Sequence, residues 1–147
     1  MKKIMLVLAV LSNMLGGCQA SNDKVELNDR FFVAQTEEIY KNSEDYLGKT
    51  IKYEGILKVY DVYGADTKYY LVIRYVSYGL GCCAVDTTID ASVGFCVKWD
   101  KEYPSENDWV EAVGVLEEAE VNNKKYLRIA LTSLKKLPTR GKEIVFR

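Results

Sequence analysis

Residues 50–63 constrain the fold more than any other segment of the chain. Ile51, Tyr53, Leu57 and Val59 fall on one side of a two-residue period, the mark of a half-buried strand. Gly55 sits in the middle of this run, and Ile56 breaks the alternation. An internal glycine with a phase slip predicts a bulge, where a strand bends to join the two halves of a barrel. Four later runs look alike. Residues 68–78 are rich in Tyr, Val and Ile, and residues 92–99 form a third run. Residues 109–116 carry Gly114 in mid-strand, and residues 126–134 alternate as Leu127, Ile129 and Leu131. Turn signals at 64–67, 103–108 and 122–124 separate several of them. Five strands punctuated in this way predict a small all-β barrel or sandwich.

Ahead of the strands, Ile39 and Tyr40 stand seven residues from Tyr46 and Leu47, a helical spacing. The reading is one short helix over 36–47, with Thr36 as its cap, Glu37 and Glu38 in the first turn and Gly48 as the stop. Residues 19–28 are polar and aperiodic, as expected of a tether. The basic tail 135–147 is expected either to hang loose or to add a strand around residues 144–146. The domain boundaries that follow are 1–17 for a signal peptide, 18–34 for an anchor and tether, 35–138 for the barrel and 139–147 for the tail.

Composition narrows the function. The chain is 48% hydrophobic and 28% charged, as expected of a globular domain. Without residues 1–17, 18 basic side chains face 21 acidic ones, so nothing in the bulk charge attracts nucleic acid. There is no histidine, which excludes His-based triads, imidazole proton shuttles and His-ligated metal sites. With no activated nucleophile and no paired-carboxylate signature, the sequence reads as non-enzymatic.

Lys2 and Lys3 precede an unbroken apolar run of eight residues, 4–11, and then a small-residue tail, the pattern of a secretory signal peptide. The run is too short for a stable membrane-spanning helix, which needs about 20 apolar residues. Its ending, Leu15-Gly16-Gly17-Cys18, resembles the lipobox of bacterial lipoproteins. That resemblance implies cleavage before Cys18 and acylation of its thiol, which would hold the protein on the membrane without a spanning helix. Gln19 is not the aspartate that retains Gram-negative lipoproteins at the inner membrane, so in such a cell the outer membrane is the expected address.

The segment Asn42-Ser43-Glu44-Asp45-Tyr46-Leu47-Gly48-Lys49, followed by Ile51 and Gly55, resembles the opening of bacterial OB-fold domains in which a helix ends in Tyr-x-Gly-Lys. With residues 70–75, Cys82-Cys83-Ala84-Val85-Asp86 and residues 109–114, the chain resembles the C-terminal domain of the YcgQ-type proteins, an uncharacterised family. The likeness covers residues 41–138, and the Cys-Cys-x-x-Asp element is its most specific piece. It implies a mainly β fold: a five-stranded OB-fold-like barrel preceded by one short helix. Because the family is often encoded beside a predicted permease, it also points to an envelope protein or permease as partner. The lipobox, in place of that family's membrane helices, is a departure, as is Cys96 in the third strand.

Cys82, Cys83 and Cys96 are the other thiols of an exported chain, where thiols tend to pair. One reading is a single disulfide from Cys96 to one of the vicinal pair, Cys83 by the slightly shorter loop, with the remaining thiol buried. The other is a thiolate site, in which Cys82, Cys83, Cys96 and Asp86 offer sulfur and oxygen to Zn²⁺, or sulfur alone to Cu(I). The polar loop Asp86, Thr87, Thr88 and Asp90 supplies too few oxygens for Ca²⁺ and reads as a turn. Among eleven tyrosines, Tyr53 and Tyr60 on one strand and Tyr69 and Tyr75 on the next suggest an aromatic binding face. The expectation is therefore a membrane-anchored OB-fold lipoprotein binding a protein partner or small ligand, with a thiolate metal-binding or redox protein as the alternative.

Overall fold

The computed structural model of the 147-residue chain describes residues 23–61, 68–77 and 91–147. In chain order the elements are β1 (Lys24–Glu26), α1 (Phe32–Lys41), a 3₁₀ turn (Ser43–Asp45), β2 (Thr50–Asp61), β3 (Lys68–Ser77), β4 (Ala91–Lys98), β5 (Trp109–Val121), β6 (Lys124–Lys136) and β7 (Ile144–Phe146). Strands β2 to β6 close a five-stranded barrel in the order β2-β3-β4-β6-β5 and back to β2. All neighbours in this ring are antiparallel except β4 and β6, which run parallel through Cys96–Arg128, Val97–Ile129 and Lys98–Ala130. The fold is the expected one: mainly β, an OB-fold-like barrel with a short helix before it.

The barrel bends where β2 changes partners. Ile56 pairs with Trp109 of β5 on one edge and with Ile73 of β3 on the other. The ladders on β2 are continuous there, so the bulge expected at Gly55 is absent. Gly55 serves close approach instead, because a Cβ on it would lie 2.7 Å from the Ile73 carbonyl oxygen. Ile56 is buried at this junction although its neighbour Leu57 is a core residue, which is why it breaks the alternation without shifting the phase. The bulge lies at the other mid-strand glycine. Val113 faces Ser133 while Gly114 faces Leu131, leaving Thr132 as the extra residue.

Past Ile56 toward their α1 end, β2 and β3 part, and each exposes an edge. The two short strands cover these edges: β1 pairs parallel with residues Thr50 to Lys52, and β7 pairs parallel with Tyr75 to Ser77. The segment read as tether therefore already belongs to the domain from Lys24, and the tail takes the second of its two expected forms. Helix α1 starts at Phe32 and ends at Lys41, several residues ahead of the expected span. Its buried stripe is Phe32, Val33, Thr36 and Ile39, one face at helical spacing. Thr36 is thus no cap; its hydroxyl donates 2.8 Å to the Phe32 carbonyl inside the helix. Asn28 organises the entry, its amide oxygen accepting from the Arg30 N–H and its own N–H donating to Gln35.

The core is continuous from helix to barrel: Phe32 and Ile39 pack with Tyr53, Leu57, Val72, Phe95, Val110 and Ile129. Two half-buried residues lie outside this core. Leu71 and Val113 alternate with core residues on β3 and β5 and are only half-buried on the outer surface. Trp109 is buried although it lies on the same side of β5 as Val113, because the chain after β6 crosses it; a Cβ on Gly141 would touch its ring at 2.7 Å.

The end of the barrel under α1 is held by Arg74. Its guanidinium is 1% exposed, with ring contacts to Phe32 at 4.5 Å and Trp109 at 5.2 Å. Nε donates 2.8 Å to the Glu54 carbonyl and Nη1 donates 2.6 Å to Asp29. The Trp109 indole N–H in turn donates 3.0 Å to the Glu54 carboxylate. One buried cation thereby joins the N-terminal segment, the helix, β2 and β5, its charge satisfied as a buried charge must be.

Candidate functional site

Strand register sets Tyr69 of β3 and Tyr126 of β6 on the outer face of the barrel, on either side of β4, while Tyr70 and Tyr103 pack against the core beside them. On β4, Phe95 and Val97 point into the core, so Cys96 between them points outward. The ladders set Leu71 beside it on β3 and Arg128 beside it on β6. Two surface cavities, of about 500 and 400 Å³, meet here and share Cys96 and Tyr126. The larger is walled by Tyr40 and Ser43 from the helical segment, Leu71, Leu127, Glu118 and Lys125. The smaller is walled by Tyr69, Tyr70, Trp99, Tyr103 and Val121, with Lys68, Lys98 and Arg128.

The aromatic walls are fixed by one another. Tyr69 meets Tyr126 edge-on with ring centroids 6.4 Å apart, and Tyr70 stacks on Tyr103 at 3.6 Å. The Tyr103 hydroxyl accepts from the Trp99 backbone N–H at 2.7 Å, which holds Trp99 at the groove's rim under the Lys101 ammonium, 5.2 Å from its ring. Tyr40 stacks on Phe95 at 5.1 Å and donates 2.8 Å to the Gly94 carbonyl. Val121, the last residue of β5, forms another part of the rim. It is placed there by the turn into β6, where Asn122 and Asn123 both take positive φ, as a two-residue hairpin turn requires.

Burial is the main influence on three titratable groups of the groove. It pushes the Tyr40 phenol up to about 12 and raises Tyr103 as well. It also pushes the Cys96 thiol up, and the nearby Arg128 guanidinium offsets only part of this. Arg128 is itself held by Glu117, its Nε donating at 2.6 Å. At neutral pH the groove therefore presents a neutral thiol and neutral phenols, suited to stacking and hydrogen bonding.

The residues expected to carry function fall into three groups. Cys18, Cys82, Cys83 and Asp86 lie outside the described residues, and with them the vicinal half of the disulfide or Zn²⁺/Cu(I) reading. Cys96 is described; it is a half-buried free thiol. The four tyrosines do not share one face. Tyr53 is a core residue whose hydroxyl donates 3.1 Å to the Val72 carbonyl. Tyr60 and Tyr69 face each other across the β2–β3 ladder. Tyr75 lies six residues farther along β3, between Ser92 and Ile144. The residues that join Tyr69 instead are Tyr126, Tyr103, Trp99 and Tyr40, brought in by the β4–β6 pairing and by the helix.

A family model described as the DUF1980 C-terminal domain matches residues 12–147. The chain belongs to that family. The placement agrees with the likeness to the YcgQ-type proteins drawn from the vicinal cysteines and the Tyr-x-Gly-Lys segment. No curated protein and no solved structure matches the chain. The groove of this DUF1980 C-terminal domain lies over the second and third strands of the barrel, β3 and β4, beside the turn between the fourth and fifth, β5 and β6. Among the described residues no helix is long and apolar enough to cross a membrane.

Proposed function

We propose that this protein is a non-enzymatic envelope lipoprotein, anchored through Cys18, whose barrel binds a small ligand or a segment of a partner protein in the aromatic groove. The observation that carries the reading is the junction of the two cavities at Cys96 and Tyr126, with rings on several sides and amines at the rim. OB-folds elsewhere bind their ligands over the same two strands and the same turn. The neutral phenols and thiol favour recognition over proton transfer, since a general base works best with a pKa near the working pH. The anchor rests on the Leu-Gly-Gly-Cys ending after the apolar run.

Both halves can be tested. For the groove, the protein is titrated with a panel of cell-wall glycan fragments and short peptides, reading tryptophan fluorescence. A ligand that binds wild type and loses tenfold or more in affinity with Tyr126→Ala supports the reading, a loss equivalent to about 1.4 kcal/mol. Binding that is indifferent to Tyr126→Ala and Trp99→Ala puts the ligand elsewhere and refutes it. For the anchor, Cys18→Ala should abolish incorporation of labelled fatty acid; continued labelling refutes lipidation at that residue.

A further inference from the structure

The chain between the proposed anchor and the barrel is short. Asp23 is the first described residue and β1 begins at Lys24. Five peptide steps separate Cys18 from Asp23, a reach of at most about 18 Å at full extension. A domain of about 100 residues has a radius of gyration near 13 Å and so is wider than this reach. The surface around β1 must then sit close to the lipid.

That surface has a defined chemistry. Asp23 meets Lys49 at 3.9 Å, and the Lys49 ammonium lies 5.2 Å from the Tyr46 ring. Tyr46 and Val25 line a groove of about 340 Å³ with Phe31, Ala34 and Ile39. Phe31 is 53% exposed, and Leu47, next to Tyr46 in the chain, is exposed too. The Arg30 guanidinium lies 5.3 Å from the Phe31 ring. Aromatic rings flanked by long cationic side chains are the groups that settle at the boundary between headgroups and acyl chains, with the rings inward and the charges at the phosphates. Glu38, on the wall of the groove, is engaged by the Asn42 amide at 2.7 Å.

We propose that the face formed by Val25, Phe31 and Tyr46, with Arg30 and Lys49 at its margin, rests on the membrane surface and fixes the orientation of the barrel. This inference depends on the lipidation reading above. The occupant is the bilayer itself, because the anchor and the chain length bring that face, and no distant one, to the lipid.

The test uses the full chain, exported and lipid-modified in a bacterial host. It is reconstituted into vesicles of phosphatidylethanolamine with a minority of phosphatidylglycerol, with and without phospholipid brominated part-way down its acyl chains. Phe31→Trp and Tyr46→Trp report from the proposed face and Tyr60→Trp from the far end of β2, each corrected for the wild-type signal of Trp99 and Trp109. For a ring seated about 5–10 Å into the interface, the added fluorescence should fall by about half in brominated vesicles at positions 31 and 46 and be unchanged at 60. Vesicle-bound, folded variants whose quenching at 31 and 46 matches that at 60 overturn the docking inference alone. A chain that lacks the lipid mass and does not float with the vesicles overturns the lipidation reading and the inference with it.

Discussion

Gly114→Ala should weaken the barrel more than any change of one methyl group on its surface. A Cβ at this position would stand 2.3 Å from the Ala130 carbonyl oxygen, 2.7 Å from the Ile129 Cγ2 and 2.7 Å from the Leu131 Cα. Two of these three neighbours are backbone atoms of β6, so no rotamer change relieves the contact. Ala130 pairs with Val115 on one side and with Lys98 on the other, so moving it strains both ladders of the strand that closes the ring. Overpacking of this kind costs about 1–3 kcal/mol. One ladder hydrogen bond lost beside it adds about 1 kcal/mol. A total of about 3 kcal/mol is a large share of the ~5–15 kcal/mol that a domain has. For a domain of about 120 residues, with an unfolding entropy near 2.1 cal/mol/K per residue, it corresponds to a fall in Tm of roughly 12 °C. Thermal and urea unfolding followed by far-UV circular dichroism measure it. Gly48→Ala is the control: nothing lies within 4 Å of its Cβ, and only the strain of φ +81° is incurred, about 1 kcal/mol. A Gly114→Ala protein that melts within a few degrees of wild type would refute the claim that the bulge requires a glycine.

Two further expectations come from the titrating groups. Tyr40 has its folded-state pKa raised to about 12 from an ordinary value of 10, so its contribution to stability is complete below pH 10 and is lost as pH rises from 10 toward 12. Tyr40→Phe should flatten the loss of stability in urea unfolding over that window; an unchanged slope would count against the burial of this phenol. The Cys96 thiol, raised by burial, should be alkylated by iodoacetamide more slowly at neutral pH than a free cysteine and should accelerate with pH above the usual thiol range. Peptide mass spectrometry distinguishes it from the other thiols, and fast labelling at neutral pH would revive the thiolate reading.

The strand runs are legible in the sequence because β2 and β5 bury alternate residues over much of their length and the others are rich in apolar and aromatic residues, and their order along the chain already marks β2 to β6. Strand β1 is not, because three residues carry no period and its pairing exists only where β2 and β3 part, while β7 shows in the sequence only as one of two expected forms of the tail. The helix shifts from its expected span because Ile39 and Tyr40 happen to stand seven residues from Tyr46 and Leu47, whereas the true apolar stripe begins at Phe32. Gly55 and Gly114 look alike in sequence, and only the register of the neighbouring strand separates a close approach from a bulge. The expected aromatic face fails for a related reason. Tyr53 and Tyr60 are seven apart, so in an unbulged strand they point to opposite sides. Tyr126 joins Tyr69 through a parallel pairing of β4 and β6 that no local signal announces.

The two ends of the barrel differ in chemistry, and the difference bears on how the proposed sites relate. At one end α1 covers the core and Arg74 ties it to Asp29, Glu54 and Trp109, beside β1. Toward the other end of β2, Tyr60 faces Tyr69, a wall of the groove. From Lys52, the last residue paired with β1, to Tyr60 the strand runs eight residues, about 26 Å. An anchor beside β1 and a face of aromatic rings against the bilayer would therefore leave the groove's Tyr69 side at the end of the barrel turned away from the membrane, open to ligands of the envelope. Tyr40 links the two regions: it projects from the helix, stacks on Phe95 and walls the larger cavity. The helix that follows directly on Phe31 thus also shapes the groove through Tyr40, so an altered seating of α1 at the membrane would be felt at the binding site.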